Sequence, residues 1–313
     1  MQRIVERGQI EAMQHQQVRR IRKPDPTRVF ARRGERLRGL SERHSIAGYL
    51  RLMAHLANAQ QAVLDRLQGD APASEPGRAA EALPLDPRQI LEQQAWRGVL
   101  RDLCRAVLEQ PDVPEGVRAA CTRLADEAID ARARRTNGDK SGWVDAQAEA
   151  LLGLSTVEID HAAAPFLMAA LQVWWTHLAI QQDVDDFRGE IRPGICPVCA
   201  YAPVASVIAA DAEAPGYRFL HCALCSSAWH HVRAQCSQCG SAKSISYQSI
   251  EGGEKAIRAE CCDECNTYRK ALYQEHDQNV EPVADDLASL ALDLLLGNAG
   301  YQRASNNPLF WQA

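Results

Sequence analysis

The sequence has few aromatic residues and little glycine or proline. Aromatic residues make up 6% of the 313 positions, and Gly and Pro number 19 and 15. This composition excludes collagen-like and low-complexity chains, and an apolar content of 46% excludes wholesale disorder. No apolar segment of the secretory type follows Met1, so no export signal is expected. The length predicts a globular protein of about two domains.

A long uninterrupted apolar run is also missing. The most apolar stretch, residues 162–180, is interrupted by Pro165, Gln172, Thr176 and His177. A membrane span needs about 20 mostly apolar residues. The stretch is therefore predicted to be a buried core helix, and no membrane span is expected.

Charge is unevenly distributed, although the net charge is only −5. Residues 1–45 carry twelve Arg or Lys against five Asp or Glu. We interpret residues 1–44 as a basic N-terminal arm that is solvated and partly ordered. The alternative is a docking arm for an acidic partner, with Arg32, Arg33 and Arg36 as candidate contacts.

Apolar residues at three- and four-residue steps predict an all-α domain over residues 45–188. The predicted helices are Ser45–Leu67, Arg88–Glu109, Glu115–Arg135, Val144–Leu152 and Thr156–Phe187, the last with a kink at Pro165. A further apolar helix, Val283–Leu296, is predicted within a C-terminal segment that covers residues 276–313. No catalytic constellation is visible in the helical part.

Cysteine is concentrated in one region. Nine of the 11 cysteines fall between residues 196 and 265, and eight of them form four Cys-x-x-Cys pairs. The pairs are Cys196/Cys199, Cys222/Cys225, Cys236/Cys239 and Cys262/Cys265. Each member of the first two pairs recurs 40 positions later, so the unit C-x2-C-x22-C-x2-C occurs twice in tandem. Such a repeat indicates two copies of one small module, over residues 189–233 and 234–275.

Each unit supplies four sulfurs for one tetrahedral metal ion. Both Zn²⁺ and iron accept a set of four cysteines, so spacing alone leaves the metal open. Four cysteines close the coordination sphere, which favours a structural or electron-transfer role over catalysis. Pairing within each unit is expected, with an interleaved arrangement as the alternative. Cys261 is a competing ligand beside Cys262, and His221, His230 and His231 are weaker candidates.

The cysteine region resembles the FdhE family of formate dehydrogenase accessory proteins. The resemblance covers residues 190–313, and extends more loosely into the helical part around residues 165–173. The matching segments are Ile195–Cys199, Arg218–Cys225, Trp229 with Arg233, Cys236–Cys239, Arg258–Cys265, Thr267–Tyr268, Pro282–Asp293, Gly300–Tyr301 with Arg303, and Asn307–Pro308.

The resemblance implies a cytoplasmic maturation factor rather than an enzyme. Members of the family act on the molybdenum-containing catalytic subunit of respiratory formate dehydrogenase before or during its export. The resemblance also implies rubredoxin-type sites, which favours iron, with two metal ions per chain. The expected ligands are the eight cysteines of the four pairs. The expected fold is α+β and multidomain: a helical domain, two rubredoxin-like or zinc-ribbon modules and a C-terminal helix.

Two other functions remain open on the sequence. A zinc-ribbon protein could bind nucleic acid, but residues 190–275 lack the clustered Lys and Arg that phosphate binding needs. A rubredoxin-like electron-transfer protein is compatible with the accessory role. Asp285 and Asp286 are further candidate client contacts, or else residues that favour the N-terminus of the last helix.

Overall fold

The computed structural model describes residues 19–69, 85–111, 113–136, 142–184 and 190–311. The helices are α1 Val29–Leu40, α2 Ala47–Gly69, α3 Pro87–Glu92, α4 Ala95–Leu108, α5 Glu115–Thr136, α6 Trp143–Leu151, α7 Ala164–Gln181, α8 Pro282–Ala288 and α9 Leu290–Asn298. The strands are β1 Ile21–Arg22, β2 Pro203–Ile208, β3 Arg218–Cys222, β4 Ala228–His230, β5 Ile245–Gln248, β6 Ile257–Cys262, β7 Thr267–Tyr273 and β8 Gln302–Arg303. The predicted order of helical region, cysteine-rich sheet and C-terminal helices is confirmed.

Helix α7 is the centre of the helical region. Fourteen of its 18 residues are buried, and it packs against α2, α4 and α6. The prediction of a buried core helix is confirmed, and no helix among the described residues is long and apolar enough to cross a membrane. The predicted start at Thr156 is wrong, because the helix begins at Ala164. Pro165 therefore lies in the first turn, where a backbone N–H has no partner within the helix and its absence removes no hydrogen bond.

Two predicted helices are each divided in two. The segment 88–109 breaks at Gln94, which adopts a left-handed conformation with φ of 61°. The last helix breaks at Ser289, whose hydroxyl donates to the carbonyl oxygens of Asp285 at 2.7 Å and Asp286 at 3.2 Å. A serine that bonds backward in this way competes with the backbone ladder and ends the helix.

Within the described part of the chain, the eight strands belong to one sheet, with the order β1-β4-β3-β2-β7-β6-β5 and β8 beside β7. Each module contributes three antiparallel strands. Through the 40-residue repeat, β3 corresponds in sequence to β6, and β4 corresponds to β7. The two modules are joined by parallel pairing of β2 with β7, in which Ser206 lies opposite Ala271. The sequence did not indicate this pairing, because two parallel strands are not connected by a short turn that a sequence motif would mark.

Part of the basic N-terminal segment is folded into the molecule. Strand β1 pairs with β4, where Ile21 lies opposite Trp229. Helix α1 packs on α2 and buries Phe30 and Leu37 completely. The interpretation of a solvated arm is therefore wrong for residues 21–40, while residues 1–18 lie outside the described residues.

Candidate metal centres

The first centre consists of Cys196, Cys199, Cys222 and Cys225, whose sulfurs all lie within 4.8 Å of one another. Sγ of Cys196 is 3.7 Å from Sγ of Cys225, and Sγ of Cys199 is 3.4 Å from that of Cys222. Bonds of about 2.3 Å from zinc to sulfur place tetrahedral ligands about 3.8 Å apart. A disulfide would bring two sulfurs to about 2.05 Å. The spacing therefore fits a metal ion and not a disulfide.

The second centre repeats this geometry with Cys236, Cys239, Cys262 and Cys265. Its two measured Sγ–Sγ separations, Cys236 to Cys265 and Cys239 to Cys262, are both 3.8 Å. The structure thus groups the cysteines within each repeat unit and not across units. Both donor sets fit one tetrahedral ion each.

Tight turns give each pair its shape. The backbone N–H groups of Val198 and Gln238 donate to the sulfurs of Cys196 and Cys236, at 3.4 and 3.3 Å. Such bonds stabilise a thiolate, because they place positive hydrogens against the sulfur. The residue after each pair is left-handed: Ala200, Ser226, Gly240 and Asn266 have φ between 52° and 78°. At Gly240 a side chain would also meet Pro193 at 3.1 Å.

A hydroxyl group lies beside the last cysteine of each unit. Ser227 Oγ is 3.4 Å from the sulfur of Cys225, and Thr267 Oγ1 is 3.1 Å from that of Cys265. The two hydroxyls are 40 positions apart, so they belong to the repeat. The sequence analysis did not single them out, although the 40-residue offset could have found them.

The surroundings of the two centres differ. All four cysteines of the first centre are buried, and they belong to the same hydrophobic core as the helices. Burial raises the pKa of the Cys196 and Cys199 thiols well above the ordinary value. A bound cation would favour the thiolates and offset that cost. In the second centre Cys239 is exposed and Cys265 is half-buried.

Hydrogen bonds attach the first centre to the helices. Gln172, in the middle of α7, donates its amide N–H to the carbonyl oxygen of Ala223 at 2.7 Å, within the Cys222/Cys225 turn. Its Oε1 accepts from Gln60 at 3.0 Å and from Arg33 at 3.3 Å. Tyr201 also donates its hydroxyl to the carbonyl oxygen of Leu151, at 2.9 Å.

The competing ligands lie elsewhere. Cys261 is buried with Tyr268, Leu292 and Leu296 rather than within a four-cysteine group. The three histidines are also outside both groups among the described residues. Burial, with the charges of Arg22, Arg32 and Arg33, lowers the pKa of His221 to about 3. Burial, with the charge of Arg218, lowers the pKa of His231 to about 4.

Two groups of candidate client contacts face each other inside the protein. Arg33 Nε donates to Glu281 at 3.1 Å, and Arg36 donates to Asp285 at 2.6 Å. Burial raises the pKa of Asp285, and the bonds from Arg36 oppose that rise. Asp286 is fully buried, and its carboxylate accepts hydrogen bonds from Arg303 and Asn307.

Arg33, Asp285 and Asp286 are therefore not free surface contacts, which corrects that part of the sequence analysis. Arg33 and Glu281 are 248 positions apart, so a single sequence gives no signal of their pairing. Of the candidates, Arg32 remains exposed.

Comparison with known proteins identifies the family. Family models for the N-terminal, central and C-terminal domains of FdhE match residues 18–188, 195–233 and 234–310. This chain belongs to the FdhE family. The resemblance inferred from the cysteine region is thereby confirmed, and it extends over the helical domain as well.

Similar proteins cover nearly the whole chain. An FdhE homologue from Stutzerimonas stutzeri is 38% identical and covers 98% of this chain and 96% of its own. FdhE from Salmonella paratyphi A is 35% identical, over 90% of this chain and 88% of its own. The crystal structure of the FdhE protein from Pseudomonas aeruginosa has a TM-score of 0.77 at 34% identity, over 93% of this chain and 98% of that one.

Proposed function

We propose that this chain is a cytoplasmic, non-enzymatic accessory protein that binds the catalytic subunit of formate dehydrogenase during its maturation. Membership of the FdhE family along nearly the whole chain carries this proposal. Two closed four-cysteine centres are consistent with it, because four protein ligands leave no open position for a substrate.

The experiment combines a gene deletion with co-purification. Cells that lack the gene are expected to lose most formate dehydrogenase activity, and the wild-type gene is expected to restore it. The tagged protein, isolated without oxygen, is expected to carry the catalytic subunit, identified by mass spectrometry. Normal activity in the deletion strain would contradict the proposal.

A matched pair of variants tests the part played by the metal. Cys262→Ser/Cys265→Ser removes two proposed ligands, whereas Cys261→Ser changes a neighbouring cysteine outside the group. We expect the double variant to fail in complementation and the single variant to succeed. Equal complementation by both would show that the second centre is dispensable.

We further propose that both centres bind iron through the eight paired cysteines. Iron coordinated by four cysteines absorbs visible light and zinc does not, so absorption combined with metal analysis separates the two. Two equivalents of iron per chain are expected after anaerobic isolation. Two equivalents of zinc would overturn the assignment to iron but leave the ligands unchanged.

Electron transfer is a second candidate function for the second centre alone. The exposed Cys239 brings one proposed ligand to the surface, as electron exchange with a partner requires. Reversible one-electron reduction of one iron per chain, lost in Cys262→Ser/Cys265→Ser, is the expected result. Failure to reduce either iron at cellular potentials would leave both centres structural.

A further inference from the structure

A cleft of about 280 Å³ lies where the N-terminal segment, the sheet and the start of α8 meet. Residues between 22 and 32 contribute to its lining, and His221, Ser226 and Gln274 line it as well. The proposed metal ligands do not line it, although His221 and Ser226 are the chain neighbours of Cys222 and Cys225.

Positive charge dominates this cleft. Four cationic residues line it, against the two carboxylates of Asp25 and Glu281. Glu281 already accepts a hydrogen bond from Arg33, a residue that does not line the cleft. The four cations are Arg22, Lys23, Arg28 and Arg32. Positive charges in the lining therefore outnumber negative ones, and one of the two carboxylates is neutralised by an arginine outside the lining.

Two of these cations are without a protein partner among the described residues. Arg22 pairs with Asp211 at 2.9 Å, and Lys23 donates to the carbonyl oxygens at the end of α7. By contrast, Arg28 and Arg32 have no hydrogen bond or ion pair from their guanidinium groups to any described residue. Both are exposed, and both line the cleft.

The position of these two arginines is unfavourable for the helix itself. Arg28 is the N-cap of α1 and Arg32 lies one turn later, so both project from the same side of the helix. Positive charge at a helix N-terminus opposes the helix dipole, and the first turn of α1 contains no acidic residue. A residue choice that costs local stability points to a ligand that uses it.

The backbone of this helix end is not the binding group. The N–H groups of Phe30 and Ala31 donate to Oε1 of Gln61, both at 3.1 Å, and that of Val29 donates to Asp25. An anion would instead contact the two guanidinium groups. Gln274, which also lines the cleft, accepts a hydrogen bond from the backbone N–H of Ala210 through its Oε1, which leaves its amide NH₂ as a further donor.

We propose that this cleft binds a phosphate or pyrophosphate group, held between Arg28 and Arg32. Two guanidinium groups with planar forked donors suit phosphoryl oxygens, which accept two bonds from each fork. The volume is small for an organic ligand and suits the anion with a short substituent. The two arginines belong to α1 and its N-cap and not to either group of paired cysteines.

Calorimetric titration of the metal-loaded full chain at low ionic strength tests the site. Inorganic phosphate, pyrophosphate, glycerol phosphate and acetate are titrated separately. We expect one saturable site for at least one phosphoryl species, and weaker binding as salt is added. Tightest binding of phosphate or pyrophosphate indicates a free anion, whereas tightest binding of glycerol phosphate indicates a phosphate ester.

Substitutions locate the site. Arg28→Gln and Arg32→Gln are each expected to weaken binding about tenfold, and Arg32→Lys is expected to fall between Arg32→Gln and the wild type. Arg38→Gln is the matched control, because Arg38 is exposed at the other end of the same helix. It is expected to bind as the wild type does.

Several results would overturn the proposal. They are absence of binding for every phosphoryl species at millimolar concentration, equal binding of acetate, and equal weakening by Arg38→Gln. Circular dichroism of each variant establishes that the fold is retained. If a Gln variant fails to fold, Arg28→Lys and Arg32→Lys replace it, and unchanged affinity in both would also reject the site.

Discussion

The two cysteine centres have the same set of four sulfurs and different surroundings. Both group their sulfurs within 4.8 Å, with the same turns and the same neighbouring hydroxyl. The first lies in the hydrophobic core shared with the helices, whereas the second exposes Cys239 and packs beside a small separate cluster. Local sequence thus determines the arrangement of the sulfurs, while tertiary packing determines how deeply each group is buried.

The bonds behind the two centres differ in kind as well. Behind the first, the uncharged amide of Gln172 connects α7 to the cysteine turn. Behind the second, Lys270 of β7 is fully buried and pairs with Asp293 at 2.6 Å, while Asp286 accepts from Arg303. The first connection is therefore expected to be insensitive to pH, and the second to depend on it.

Removal of one cysteine pair should have the largest effect. We expect Cys222→Ser/Cys225→Ser to unfold much of the chain, because a structural metal contributes folding free energy comparable to the whole net stability of about 5–15 kcal/mol. The equivalent Cys262→Ser/Cys265→Ser is expected to retain the helical signal and one metal ion. Circular dichroism and metal analysis measure both. Equal loss of helix in the two variants would show that both centres contribute equally to the folding of the helical region.

Asp286→Asn should have the next largest effect. It leaves Arg303 and Lys270 with a neutral partner, and breaking a buried ion pair costs about 3–5 kcal/mol. Full burial alone would raise the pKa of Asp286, but the charges of Arg303 and Lys270 hold it below its ordinary value of 3.8. The carboxylate therefore stabilises the fold above that pH, and the benefit is lost as pH falls through the lowered pKa.

The measurement is urea unfolding of the wild type and Asp286→Asn at pH 7 and at successively lower pH. The gap between their free energies of unfolding should be largest at pH 7 and should narrow below about pH 4. A gap that stays constant would show that the carboxylate contributes only through its shape and hydrogen bonds.

Gln172→Leu should have an intermediate effect. The change introduces an apolar side chain of similar size and leaves the carbonyl oxygen of Ala223, the amide of Gln60 and the guanidinium of Arg33 without this partner. Unsatisfied buried groups cost about 1–3 kcal/mol each. Gln182→Leu at the end of the same helix is the control, and it should cost less than about 0.5 kcal/mol. Urea unfolding at pH 7 and pH 5 should give the same loss at both values.

The neighbouring hydroxyls should have the smallest effect. Chelator is expected to remove the metal from the exposed second centre before the first. Thr267→Val should accelerate release from the second centre by up to about tenfold, because it removes a polar group 3.1 Å from Cys265. Ser227→Ala should change release from the buried first centre less. Release is followed by the absorbance of the metal–chelator complex, and simultaneous release from both wild-type centres would contradict the expected order.

The cysteine groups are the part of the site that the sequence determines most directly. The 40-residue repeat assigns Cys222 to the first group and Cys262, rather than Cys261, to the second, and the structure groups them in the same way. The apolar run over residues 162–180 similarly predicts the central helix, most of whose residues are buried. Both signals are local or strictly repeated, so one sequence contains them.

Long-range pairing is the part that a single sequence does not contain. Nothing near Arg33 indicates a bond to Glu281, and nothing near β2 indicates a parallel partner in β7. The break at Ser289 depends on one hydroxyl bonding backward, which periodicity does not register. The different burial of the two centres follows from these same long-range contacts.

The burial of the N-terminal segment also affects how the protein is made. Strand β1 needs β4, and Arg33 needs Glu281, a residue translated 248 codons later. At about 5–20 residues per second, the ribosome takes on the order of tens of seconds to cover that distance. Throughout that interval Arg33 lacks the carboxylate of Glu281 with which it pairs in the folded protein. Closure of the fold therefore follows synthesis of the C-terminal helices, and it couples the start of the chain to the completion of its last part.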